Sequence, residues 1–267
     1  MIKRFSFILI VVLAACTSTE PALTDTVETS LAGAQSAVIN LNILNRDAIL
    51  SALPDESNLL FSANVGDVNA VQYVENVSEQ TFIALSDNPE LPSSADWTIN
   101  ISPAIPMSYV VDVSDGTLDA NMTGLELPRF DIVSSNSTVD ITFPAGAFQL
   151  AVDNSESTTV LNIPDGAEVQ SAQLVSNGGL MSLNVETQIS FIANVSVTSG
   201  GLTITVPSTT GVQLIVESAT NSEITLPDSP RIPAEATIYT TPDFELSTSQ
   251  VLLSGTLNAA AIRIVQE

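Results

Sequence analysis

A short unit recurs through the second half of this 267-residue chain: "VDITFPAGAFQLAV", "TVLNIPDGAEVQSAQL", "LTITVPSTTGVQLIV" and "SEITLPDSPRIPAEATI". Each reads as strand, proline corner, one or two small or polar residues, strand. Within each arm apolar residues fall at every second position, which is the period of a strand with one buried face. Proline cannot donate to a β ladder and so belongs at strand ends. Apolar–Pro pairs stand at Ile105-Pro106, Leu127-Pro128, Phe143-Pro144, Ile163-Pro164, Val206-Pro207 and Leu226-Pro227. From Pro144 onward the spacings are 20, 43 and 20 residues. The long gap accommodates a degenerate unit around Val185-Glu186, with glutamate in the place of proline.

Alternation extends upstream through "SAVINLNIL", "NLLFSANV", "WTINI" and "YVVDV". The best helical candidate, "NRDAILSAL" at 45–53, competes with the same alternation. A unit of about twenty residues with two strands cannot bury its apolar face alone, whereas stacked units share a continuous core. The predicted fold is therefore all-β and single-domain, a β-solenoid or a wrapped β-sandwich. The pattern favours the solenoid, although parallel and antiparallel strands look alike at this level. The expected core contains Ile141, Phe143, Leu150, Val160, Ile163, Leu174, Val206, Leu214, Ile224 and Leu226. Trp97 is expected to anchor the core at a strand start.

The N-terminus reads differently. Lys3 and Arg4 precede an apolar run of signal-peptide length, too short for a membrane-spanning helix of about twenty residues. The run ends in Leu13-Ala14-Ala15-Cys16, and Cys16 is the only cysteine of the chain. This resembles the bacterial lipobox, in which the cysteine is acylated and becomes the mature N-terminus. The expected division is a lipoprotein signal peptide over 1–15, lipidated Cys16 with a flexible tether over 16–33, and a β-rich domain over 34–267. Thr17 stands where such signals carry an aspartate for inner-membrane retention, which points to outer-membrane sorting where an outer membrane exists; the expected place is the cell membrane or the outer membrane.

Composition removes most chemistry. There is no histidine, which excludes Ser-His-Asp and Cys-His catalysis and histidine-based zinc sites. Processing removes Lys3, the only lysine, and leaves four arginines against thirty acids, a net charge of −26. Phosphate backbones and anionic headgroups are repelled by such a surface, so nucleic acid is excluded as a partner. Hydrophobic residues still make up 45% of the chain, which argues for a packed core.

The stretch from Ala95 to Gly146, with Trp97 opening a strand, Ile105-Pro106 to Tyr109, "LPRFDIVSSNS" and "VDITFPAG", resembles the toast-rack domains. These are grouped with adhesin-like and LiaF-like β-solenoid repeat proteins of bacterial envelopes. The segment 36–65 resembles the N-terminal part of the same group. Where that family carries a Gly-Ala-Gly-Asp turn, this chain has Ser134-Ser135-Asn136-Ser137. The resemblance implies a structural or sensory envelope module, and it brings no catalytic residues and no cofactor.

Two sites are weighed within the domain. Asp112, Asp115, Asp119 and Asp140 could supply hard oxygen ligands to calcium if adjacent rungs stacked them together. Charge runs are more often solvated faces, and acidic side chains keep sheet edges from pairing. A polysaccharide-cleaving site needs only two carboxylates about 5–10 Å apart, but sugar sites use aromatic platforms, and Tyr73, Trp97, Tyr109 and Tyr239 are scattered. The expected function is a lipid-anchored envelope scaffold that acts by surface contact. Its partners are the membrane, through the lipid, and an envelope protein or glycan. The alternative is an extracytoplasmic protein that binds or cleaves carbohydrate.

Overall fold

The computed structural model describes residues 26–66, 70–87, 95–186, 189–242 and 244–267. The domain is a two-sheet β-solenoid in which almost every turn of the chain contributes one strand to each sheet. In spatial order the rungs are β6 (Gln80–Asp87) with β7 (Trp97–Ile101), then β2 (Ser36–Leu44) with β3 (Asp47–Ala52). Next come β8 (Met107–Ser114) with β9 (Thr117–Asn121), β10 (Arg129–Ser135) with β11 (Thr138–Thr142), and β12 (Gly146–Ser155) with β13 (Thr158–Ile163). The stack continues through β14 (Ala167–Asn177) with β15 (Leu180–Val185), and β16 (Phe191–Thr198) with β17 (Gly201–Val206). It ends with β22 (Ser249–Asn258) and β23 (Ala261–Gln266), then β18 (Thr210–Thr220) and β19 (Glu223–Thr225).

Neighbouring rungs pair in parallel on both sheets. Antiparallel strands close both ends. β1 (Thr26–Ser30) and β4 (Leu59–Asn64) add to the first sheet, and β5 (Ala70–Val77) adds to the second. At the far end β20 (Ile232–Pro233) and β21 (Ile238–Thr240) do the same. β1 places an ordered strand within the residues read from sequence as tether. The helical candidate at 45–53 contains β3, whose buried residues alternate, so the period of two prevails there.

Eight of the nine rungs, all but β6/β7, turn from the second sheet to the first through two residues. The first of these is left-handed: Asn45, Asp115, Asn136, Glu156, Gly178, Ser199, Asn221 and Ala259 all have φ between 48° and 79°. Asn and Asp tolerate this region better than most residues. Because the turns stack, their backbones bond rung to rung: Asp115 N–H donates to Ser135 O (3.0 Å), Asn136 to Ser155 O (3.0 Å) and Glu156 to Asn177 O (2.9 Å). The parallel ladder thus passes through the turns without a break, which satisfies donors that a loop would leave to water.

The opposite corners are the proline corners expected from sequence. Pro144, Pro164 and Pro207 leave the first sheet within two residues of its strand ends. The degenerate unit is confirmed as the rung end at Val185. Glu186 donates its N–H to Ile163 O at 3.0 Å, a bond that proline in that place could not make.

Inward residues of both sheets form one continuous core. Ile141, Phe143, Leu150, Ile163, Leu174, Val206, Leu214 and Ile224 are buried as expected, while Leu226 is only partly so. Val160 is corrected: it lies on the outer face, and its neighbours Thr159 and Leu161 point inward. The run "STTVLNI" offers two phases of alternation, and the apolar one includes a threonine. Trp97 opens β7 and is fully buried, with the Arg46 guanidinium 4.7 Å from its ring centre. Arg46 also donates from Nη1 to Ala95 O at 2.8 Å. One of the few cations is therefore spent inside the fold, which leaves the surface still more acidic.

Tyr109 is buried with no partner for its hydroxyl among the described residues, and burial pushes its pKa well above the usual phenol value. Below about pH 10 the phenol is protonated in both folded and unfolded chains. Above that, only the unfolded chain ionises, so stability falls by about 1.4 kcal/mol per pH unit from this group. Tyr109→Phe should leave the melting temperature at pH 7 unchanged or higher, since an unpaired hydroxyl is removed. It should also move the alkaline unfolding midpoint upward. A midpoint that does not move would mean that the hydroxyl reaches solvent.

Candidate contact face

The outer face of the first sheet carries polar side chains in rows. Parallel register aligns Thr117, Thr138 and Thr158 across β9, β11 and β13. A second row runs Asp119, Asp140, Val160, Ser182, Thr203, and a third runs Asn121, Thr142, Asn162, Asn184, Thr205. Rungs in such a sheet repeat at about 4.8 Å, and alternate residues along a strand at about 6.6 Å. The result is a flat lattice of hydroxyl, amide and carboxylate groups. Its amides are held by their neighbours: Asn184 Nδ2 donates to Asn162 Oδ1 (2.9 Å), and Asn162 Nδ2 donates to Asp140 Oδ1 (2.9 Å). Fixing the amides lowers the entropy lost when the face meets a partner.

The four aspartates proposed for calcium are not brought together. Asp119 and Asp140 are register partners on the first sheet. Asp112 lies on the outer face of the second sheet, opposite Asn42 and Val133. Asp115 occupies a left-handed turn, where Asn136 Nδ2 donates to its Oδ1 at 2.5 Å. Among the described residues no group of three or more acidic, histidine or cysteine side chains is placed to hold a metal ion. Cys16, the expected lipidation site, lies outside the described residues, as do the signal peptide and the tether up to residue 25.

The aromatic platforms are also dispersed. Trp97 and Tyr109 belong to the core and cannot face a sugar. Tyr73 is exposed on β5, where its hydroxyl donates to Glu75 Oε2 at 2.9 Å. That bond, with the carboxylate's charge, raises the Tyr73 pKa. Tyr239 is part-buried in β21. Two carboxylates share one hollow of about 510 Å³, Glu186 and Glu267, beside Val185, Val206 and Pro207, with no aromatic among the described residues of its lining.

The outer face of the second sheet differs in character. Val110 and Val133 are exposed, with Asp112, Asp131 and Asp153 among them. Charges interleaved this way discourage sheet-on-sheet association.

A buried polar seam escaped the sequence reading. Ser134, Asn154 and Ser176 occupy the inward phase two residues before successive turns, and all three are buried. Ser134 Oγ donates to Asn154 Oδ1 (3.2 Å), while Asn154 Nδ2 donates to Ser176 Oγ (3.4 Å) and Leu180 O (3.2 Å). The readable signal was "SSNS", "NSES" and "SNGG" at one point of three consecutive units.

No family model matches the chain, and no curated protein matches it. The toast-rack resemblance therefore stays a reading of the residues. Among solved structures the chain is similar to a "putative cell adhesion protein" from Clostridium sporogenes ATCC 15579, with a TM-score of 0.44 and 13% identity over 91% of this chain and 98% of that one. It is also similar to a "putative adhesin" from Bacteroides fragilis NCTC 9343, with a TM-score of 0.42 and 13% identity over 92% of this chain and 98% of that one.

Proposed function

We propose that this chain is a lipid-anchored scaffold of the cell envelope that works by surface contact, through the outer face of the first sheet, and not by catalysis. The observation that carries the reading is the lattice of Thr, Asn, Ser and Asp, interrupted by Val160, with one row across β9 to β13 and two across β9 to β17. A broad array of repeated groups suits a broad partner, such as a glycan or another envelope protein. The carboxylates are spread over both sheets and the turns, which suits a solvated acidic surface.

The anchor is tested by Cys16→Ala, which should abolish labelling with a fatty-acid analogue and release the protein from membranes. Equal labelling of the variant would defeat the lipid reading. The face is tested by a variant with Thr138→Lys, Thr158→Lys and Thr203→Lys. These outward positions should tolerate the change with the melting temperature nearly kept, while binding to whole envelopes or to a glycan array falls at least tenfold. Undiminished binding would move the contact elsewhere. Hydrolysis of a polysaccharide that disappears with Glu186→Gln and Glu267→Gln would replace the scaffold reading with the enzymatic one.

A further inference from the structure

The last rung of the solenoid is not the last in space. β22 and β23 lie between the β16/β17 rung and the β18/β19 rung, although those two follow one another in the chain. β22 runs parallel to β16, from Phe191 beside Val251 to Thr198 beside Asn258, and parallel to β18 on its other side. β23 fills the same gap in the first sheet, between β17 and β19.

The connection that steps over this gap is no longer than an ordinary corner. Pro207-Ser208-Thr209 links β17 to β18, just as Phe143-Pro144-Ala145 links β11 to β12 and Pro164-Asp165-Gly166 links β13 to β14. Those last two steps advance one rung, about 4.8 Å, and the first advances two. The walls of the slot are thus set by residues up to 225, and the occupant arrives later in the chain.

The slot is keyed to its occupant. A Cβ at Gly255 would overlap the carbonyl oxygen of Val195, so only glycine passes there. On the other wall β18 has a bulge between Val216 and Ser218, and the extra residue Glu217 accepts a bond from Ser254 Oγ at 2.9 Å. The turn closes into both neighbours, with Ser199 N–H donating to Asn258 O (2.8 Å) and Ala259 N–H donating to Thr220 O (2.7 Å). Val251, Leu253, Ile262 and Ile264 are buried in the shared core. Outside its own turn, every one of these contacts is with residues before 226. The segment Glu245–Thr248 begins inside the short 3-10 turn at Phe244–Leu246 and leads into β22, and Leu246 is largely exposed.

We propose that the slot between the β16/β17 and β18/β19 rungs is an acceptor site for a strand pair, and that a second copy of this chain can fill it with the same residues, 249–266. Two copies then exchange C-terminal rungs reciprocally, with 245–248 as the hinge. The exchanged contacts equal the internal ones, so the cost is confined to the hinge and to association.

The test uses the full chain with Cys16→Ser, so that introduced thiols are the only ones. Asn194 and Ser254 are adjacent partners on β16 and β22. One copy carries Asn194→Cys and the other Ser254→Cys. The two are unfolded, refolded together at high concentration, and oxidised. The expected product is a disulfide-linked dimer of twice the monomer mass, formed only from the mixture. A chain carrying both changes should close the disulfide internally, which verifies the geometry. Internal closure in that chain with no dimer in the mixture would overturn the proposal. Failure of internal closure would equally do so, since β22 would not occupy the slot. Adding Gly255→Val to the Ser254→Cys copy should remove the dimer, and a dimer that persists would place the contact elsewhere.

Discussion

Phe143→Ala is expected to cost about 3–5 kcal/mol of stability, the range for deleting a large aromatic side chain from a packed core. Phe143 sits at a proline corner and is fully buried. Its ring stacks on Phe148 at 4.9 Å and 13°, and meets Phe130 edge-on at 5.5 Å and 90°. Phe130 continues the chain of rings to Tyr109 at 5.9 Å. The four rings come from three adjacent rungs and one corner, so removing the middle ring breaks contacts on both sides at once. Aromatic pairs of this geometry contribute about 0.5–1.5 kcal/mol beyond the area they bury. Parallel rungs flank the site and restrict collapse into the space, which places the expected cost in the upper half of the range. Urea unfolding followed by circular dichroism measures it. A loss under 1 kcal/mol would show that the rungs close over the gap.

Much of this core was legible from alternation alone. Ile141, Phe143, Leu150, Ile163, Leu174, Val206, Leu214 and Ile224 were placed correctly because each strand has a polar phase that leaves the apolar phase unambiguous. Val160 failed for a local reason: in "TTVLNI" the inward phase is Thr159, Leu161, Ile163, and threonine is β-branched and fits a core when its hydroxyl is bonded. Here Thr159 Oγ1 lies 3.3 Å from Ser134 Oγ, one rung away. That partner is about one repeat distant in sequence, so no local window reveals it.

The order of the rungs was not legible at either end. β2/β3 sits inside β6/β7, and β22/β23 sits inside β18/β19. The strands themselves carry the same alternation wherever they are placed, and the corner at Pro207-Ser208-Thr209 has the same length as those after β11 and β13. At the C-terminal end β22 fits its place through Gly255 against Val195 and through the bulge at Glu217, both of which are contacts between distant segments. The candidate site shows the same limit. Asp112, Asp115, Asp119 and Asp140 are close in sequence, but a rung sends successive segments to opposite sheets, so Asp112 parts from Asp119 at the intervening turn. The Thr and Asn rows were half visible, as "TSGGLTITVPSTT" and similar stretches. Their alignment across rungs needed the register.

Gly179→Val is expected to destabilise the domain by about 3 kcal/mol, the upper end of overpacking costs, where most such changes force shifts costing 1–3 kcal/mol. Gly179 is the second residue of the turn between β14 and β15, following left-handed Gly178. A side chain there would overlap the carbonyl of Ser157 in the preceding rung, and its Cβ would lie 2.7 Å from Asn154 Nδ2 and 2.8 Å from Ser157 N. Two of those atoms are backbone, held in the turn ladder through the bond from Leu180 N–H to Ser157 O at 2.8 Å. They cannot rotate away as a flexible side chain would. The third is the centre of the buried seam, and displacing it leaves Ser134 and Ser176 without a partner they now have. Ser134 keeps Thr159 Oγ1 at 3.3 Å and Ser176 keeps Gly179 O at 3.3 Å, so the polar loss is one bond from each and adds to the steric loss at the same point. Ser137 and Ser157 fill the equivalent position two and one rungs earlier, so the turn type itself accepts a side chain. Gly179→Ser therefore serves as the comparison: it should cost nearly as much as valine, because the clash begins at Cβ and not at the branches. If serine proves neutral, the turn at 178–179 can adopt the conformation of its neighbours, and the seam is more adaptable than its bonding suggests.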